Sequence, residues 1–129
     1  MIFSGEPKDI DELLLRLAAK HVVRFKPRED QPLKHPFNVM SRLGIERIDA
    51  DLMLRDLRKA ECVDPKGMPC DDEGVPCRKM WPFKHRYAPR NGEGPFDLYI
   101  KVASTTKRNP ATGKEELLVI YVISFHEDE

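Results

Sequence analysis

Leu117-Leu118-Val119-Ile120-Tyr121-Val122-Ile123-Ser124-Phe125 is a near-continuous apolar run rich in β-branched residues. A run of this length and make-up reads as a buried strand at the centre of a sheet. Phe96 to Thr105 reads as a second strand. Between the two, Asn109-Pro110-Ala111-Thr112-Gly113-Lys114 has turn chemistry, so the strands form a hairpin. Lys79 to Tyr87 is a third strand, aromatic and basic. Pro82 interrupts it and places it at an edge or a bulge, because proline cannot donate to a ladder.

Upstream of these strands the periodicity is helical. Residues 9–20 place Ile10, Leu13, Leu14, Leu17 and Ala18 on one face, with Asp9 and Glu12 as a capping box. Residues 21–26 alternate and read as a short extended segment. Lys26 to Pro36, with three prolines and many charges, is a loop or linker. Phe37 to Leu43 is a short helix stopped by Gly44. A further helix runs from an N-cap at Asp49 through Leu52, Leu54 and Leu57 to Ala60, with Arg55, Arg58 and Lys59 on its polar side. Helices followed by strands predict an α+β fold, with N-terminal helices packed on one face of a small C-terminal antiparallel sheet.

The 129 residues suit one domain, 1–129, large enough to bury a core without staples. Lys plus Arg equals Asp plus Glu at 22 each, so whole-chain charge offers no argument for nucleic acid or membrane binding. No run is long enough to span a bilayer, and the first residues lack the basic and apolar regions of a signal peptide. Three cysteines, an odd number, do not make a secreted disulfide framework, so the expectation is a cytoplasmic protein.

Two features break the ordinary pattern. Asp64-Pro-Lys-Gly-Met-Pro-Cys70 is followed at once by Asp71-Asp-Glu-Gly-Val-Pro-Cys77, a tandem heptapeptide D-x-[KE]-G-[MV]-P-C. Its Asp, Gly and Pro residues read as a double turn, a mobile loop leading into the sheet. The acid pairs Asp71-Asp72 and Glu115-Glu116 fall in turns and read as solvent-exposed. The second feature is Arg78-Lys-Met-Trp-Pro-Phe-Lys-His-Arg-Tyr-Ala-Pro-Arg90, with five Lys or Arg and no acid. Cations bind phosphates, and Trp81, Phe83 and Tyr87 offer faces on which unpaired bases stack. The plainer reading is a solvated strand with its aromatics packed inward.

Lys59, Tyr99, Lys101 and His126 form a constellation suited to RNA cleavage. Tyr99 and Lys101 are two apart on one strand and share a face; His126 ends the adjacent strand. Cleavage needs a base for the 2′-hydroxyl proton, a cation for the phosphorane charge and an acid for the leaving oxygen. An ordinary imidazole titrates near neutrality and suits either proton role; Lys and Arg suit the charge. Against this stands a frayed terminal histidine among Glu127 and Asp128. Cys62, Cys70, Cys77 and His85 are the ligand types of a structural zinc site, but no CxxC pair is present. Three ordinary thiols in a turn-rich segment is the favoured reading.

The segment Asp97-Leu-Tyr-Ile-Lys-Val102, its turn, and Leu118-Val-Ile-Tyr-Val-Ile-Ser-Phe-His-Glu127 resemble the C-terminal hairpin of MqsR-type mRNA interferases, toxins of bacterial toxin–antitoxin systems. Leu43-Gly-Ile-Glu46, Asp56-Leu-Arg-Lys59 and Arg86-Tyr-Ala-Pro-Arg90 fall in the order that family shows. The resemblance spans about the last 90 residues. It implies a RelE-like fold and cleavage of single-stranded mRNA without a metal or other cofactor. By position it implies that Lys59 is the helix lysine of the site, Arg86 to Arg90 its arginine-rich strand, and Tyr99 its tyrosine. The catalytic lysine of the closing SFK motif falls on His126, and a family glutamine falls on Lys84. Histidine for lysine keeps a proton-transfer group and implies cleavage more sensitive to pH near neutrality. The heptapeptide repeat and the 108–116 loop stand as insertions relative to the family.

The expectation is therefore a type II toxin and metal-independent endoribonuclease. His126, Tyr99, Lys59 and Arg86 would be catalytic. Arg78, Lys79, Trp81, Lys84, Tyr87, Arg90 and Lys101 would bind RNA. Its partners would be mRNA and a cognate antitoxin, with no membrane; a homodimer is compatible with the sequence. The alternative is a non-catalytic RNA- or protein-binding module using the same basic sheet, and a third reading is a small zinc-stabilised adaptor.

Overall fold

The computed structural model describes residues 3–70, 72–89, 92–113 and 116–128. Helix α1 spans Ile10–Ala18 and strand β1 spans Val22–Phe25; helices α2 and α3 span Pro36–Leu43 and Arg47–Arg55. Strands β2 to β5 follow at Met68–Pro69, Lys79–Tyr87, Phe96–Arg108 and Glu116–Glu127. Two 3₁₀ turns, Pro32–Lys34 and Lys59–Glu61, interrupt the connections. The architecture is α+β, with sheet order β1-β5-β4-β3-β2.

The sheet is mixed, not antiparallel throughout. β1 pairs parallel to β5, Val22 opposite Val119 and Phe25 opposite Val122, while β5, β4, β3 and β2 run antiparallel in turn. The extended segment after α1 thus closes the sheet on the far side of β5. That explains the unbroken apolar run, since β5 is central and covered on both faces.

Asp9 caps α1 by accepting from the Glu12 N–H at 2.9 Å, and Gly44 ends α2 in the left-handed region at φ 70°. Helix α3 departs from expectation at both ends. Asp49 sits in its first turn, where its carboxylate accepts from the Glu46 N–H at 3.1 Å, so Glu46 is the N-cap. The helix stops at Arg55, which leaves Lys59 in a 3₁₀ turn.

The helices cover one face of the sheet. Ile10, Leu13 and Leu17 of α1, Val39 and Leu43 of α2, and Met53 and Leu54 of α3 pack on Trp81, Phe83, Leu98, Ile100, Val102, Ile120, Val122 and Phe125. The opposite face carries a smaller apolar cluster of Cys77, Met80, Ala103, Val119, Tyr121 and Ile123, covered by Met68, Cys70 and Val75. The heptapeptide repeat supplies that cover. Its first copy forms β2, and its second lays Val75 and Cys77 on the outer face, so it is packed as a half-roof over the sheet. Gly67, at φ +81°, lies where a Cβ would stand 2.6 Å from the Lys79 side chain, so this turn needs glycine on two counts.

Pro82 lies within β3. Its carbonyl accepts from the Val63 N–H at 2.8 Å, on the side away from β4. A strand residue points its N–H and C=O the same way, so the missing donor faces the thinly paired edge and no ladder bond is lost. Between β4 and β5 the register slips: Lys101 pairs with Ser124 but Val102 pairs with Val122, which makes Ile123 the extra residue of a β-bulge.

Candidate functional site

The bulge decides which face the end of β5 presents. Before it, Val119, Tyr121 and Ile123 point to the outer face; after it, Ser124 pairs with Lys101 and His126 with Tyr99 on that same face, while Phe125 enters the helix-side core. Strict alternation from Val119 through Ile123, with no bulge, would carry His126 to the helix side. The bulge also frees the Ile123 carbonyl, which accepts from Arg28 at 2.7 Å. Arg28 is thereby drawn from the linker onto the outer face.

A hollow of about 310 Å³ results, lined by Arg28, Gln31 and Lys34 from the linker and by Tyr99, Lys101, Ser124 and His126 from the sheet. The Tyr99 and His126 rings lie 5.6 Å apart at 42°, and the Lys101 ammonium stands 5.6 Å over the Tyr99 ring. His126 Nδ1 lies 2.8 Å from the Glu127 carbonyl oxygen. A carbonyl only accepts, so Nδ1 carries the proton and the neutral ring keeps its lone pair on Nε2. Burial, followed by the Asp128 carboxylate, pushes the Tyr99 hydroxyl above its ordinary 10.0 against the pull of Lys84. Tyr99 is therefore a proton donor at neutral pH.

Lys84 pairs with Tyr99 in register on this face and reaches Asp128 at 3.4 Å. Arg86 shares the face one row further out. It is largely exposed, lies 3.7 Å from Asp97, and does not line the hollow. Other expected site residues lie elsewhere. Lys59 is on the helix side, 3.4 Å from Asp11 of α1, because α3 ends before it. Trp81 is 0% exposed in the helix-side core, with Nε1 donating to the Pro65 carbonyl, so it is no stacking platform. Tyr87 packs against the same core. Arg78 and Lys79 sit at the other end of β3, five or more residues from Lys84, about 17 Å at the usual strand rise. Arg90 lies outside the described residues.

The cysteines do not converge. Cys62 belongs to the helix-side core and Cys77 to the outer cluster, while His85 holds Glu61 at 2.8 Å. Among the described residues no group of three or more His, Cys, Asp or Glu side chains is arranged to hold a metal ion. Nor is any helix among them long and apolar enough to cross a membrane.

Sequence reading missed Arg28, Lys34, Ser124 and Asp72. Asp72, expected to be solvated, accepts from Lys26 at 2.6 Å and lies 3.8 Å from Arg28. Burial works to raise its carboxyl, but the Lys26 hydrogen bond and the charges of Lys26, Arg28 and Lys101 override this and hold it below its ordinary value. Nothing local in the linker distinguishes these cations from solvated ones. Only the β5 bulge and the parallel β1 strand bring them over the sheet.

In comparisons with known proteins, no family model, curated protein or solved structure matched this chain.

Proposed function

We propose that the outer-face hollow binds single-stranded RNA and cleaves it by attack of the 2′-oxygen on the adjacent phosphorus, as a RelE-like toxin does. The observation that carries this reading is the convergence of Tyr99, Lys101 and His126 with Arg28 and Lys34 in one hollow of a chain with no net charge. His126 Nε2 takes the 2′-hydroxyl proton. The 2′-oxygen bonds to phosphorus as the bond to the 5′-oxygen breaks, and the Tyr99 hydroxyl protonates that leaving oxygen. The products are a 2′,3′-cyclic phosphate and a 5′-hydroxyl, and solvent returns the proton from His126 to Tyr99. Arg28, Lys34 and Lys101 stabilise the phosphorane charge, a task expected of Lys59 and Arg86 from sequence. No step requires a metal.

A toxin of this class implies an inhibitory antitoxin and a cytoplasmic target, mRNA. The test is incubation of the purified protein with single-stranded RNA in the presence of a chelator, beside a His126→Ala variant. Cyclic-phosphate ends from the first and none from the second support the proposal. Binding without cleavage by the unaltered protein would instead favour the non-catalytic module.

A further inference from the structure

A second hollow, of about 330 Å³, opens on the same face and is lined by Arg24, Lys26, Glu73, Gly74, Val75 and Tyr121 among others. Arg28 lines the first hollow and Lys26 the second. What stands between them is Asp72, which holds both cations through one oxygen, at 2.6 Å from Lys26 Nζ and 3.8 Å from Arg28. All three side chains are about three-quarters buried. In the first copy of the repeat the matching position is Pro65, so the acid belongs to the second copy alone.

A largely buried carboxylate held by two cations, beside a third on Lys101, has the charge and hydrogen-bond demand of a phosphodiester. It differs in being tethered. We infer that Lys26 and Arg28 form a second phosphate subsite for a nucleic-acid strand held in the His126 hollow, and that the Asp72 carboxylate occupies this subsite in the free protein. The inference rests on the proposed nucleic-acid reading of the first hollow. A strand entering there displaces Asp72 from Lys26 and continues into the second hollow. There the buried Tyr121 hydroxyl, which has no hydrogen-bond partner among the described residues, is the polar group beneath it. The second heptapeptide thus acts as an internal competitor that sets the threshold for binding.

The experiment uses a short, fluorescently labelled single-stranded DNA, which lacks the 2′-hydroxyl and stays uncut. Asp72→Asn should tighten its binding by about three- to tenfold and steepen the salt dependence, as one more phosphate contact does. Lys26→Gln in the otherwise unaltered chain should weaken binding by a similar factor. If Asp72 is only a clasp for the loop, Asp72→Asn lowers the melting temperature and leaves affinity unchanged or weaker; that result overturns the inference. If Asp72→Asn does not fold, unchanged affinity in Lys26→Gln overturns it equally. RNA cleavage by the unaltered protein with neither effect would sink the subsite and leave the nuclease standing. Both effects without cleavage would support the subsite and sink the nuclease.

Discussion

Tyr99 and His126 are partners in register across β4 and β5, their rings 5.6 Å apart on the face the helices leave open. A phenol and an imidazole are thereby fixed on neighbouring strands, and in the proposed reaction the substrate lies across both. Tyr99→Phe keeps the ring and its packing and removes only the hydroxyl. RNA cleavage should fall about 10²-fold or more, the usual contribution of a positioned acid, with oligonucleotide affinity little changed. Cleavage at the original rate would remove Tyr99 from the chemistry.

The ring pairing does not need the bulge, but the placement of Arg28 does. Ile123 is the extra residue of β5, and deleting it would restore simple alternation between Val122 and Ser124. Ser124 and His126 then stay on the outer face and Phe125 stays in the core, while the Ile123 carbonyl that accepts from Arg28 is gone. Deletion of Ile123 should therefore keep the NMR contacts between His126 and Tyr99 and weaken oligonucleotide binding by about tenfold, the worth of one hydrogen bond from a charged group. Loss of those contacts in a folded product, or unchanged affinity, would overturn this account.

What the sequence made legible was local. The hairpin, the Gly44 stop and the Asp9 cap each follow from a few adjacent residues, and all are present. The shared face of Tyr99 and Lys101 is equally local, a consequence of strand alternation. The face of His126 was not legible, because Val119 to Ile123 is apolar on both sides and hides the slip in register. Lys59 was misplaced because Asp49, a good N-cap by type, serves in the first turn of a helix that ends earlier. Arg28 and Lys34 were invisible as site residues, since their placement depends on a β1–β5 pairing across nearly a hundred positions. Trp81 illustrates the opposite hazard. Its basic neighbours suggest a stacking surface, yet alternation within β3 turns it inward.

Trp81 gives a test of that division. It is the chain's one tryptophan and lies on the helix side of the sheet, so its emission should be blue-shifted and unaltered when an oligonucleotide binds. Trp81→Ala should lower stability by about 3–5 kcal/mol, measured by urea denaturation, as truncation of a large core side chain does. Lys84→Ala, on the outer face, should leave stability nearly unchanged and weaken binding. Quenching of Trp81 by bound nucleic acid would put the binding face on the wrong side.

Cys77 ties the repeat to alkaline stability. Its thiol is buried against the outer sheet face and donates to the Ser104 carbonyl at 3.5 Å. Burial, followed by the nearby Glu6 charge, pushes its pKa from 9.0 to about 12. The folded state therefore favours the neutral thiol. Its stabilising contribution is complete below pH 9, where the unfolded thiol is also protonated. It falls as pH rises from there towards about 12. Cys77→Ala should flatten the alkaline decline in the urea midpoint. At pH 8 a thiol reagent should modify the partly exposed Cys70 first, then Cys62 and Cys77 only as the protein opens. Rapid labelling of Cys77 in the native protein would mean that the second heptapeptide does not stay on the sheet, and with it Asp72 would lose its place between the two hollows.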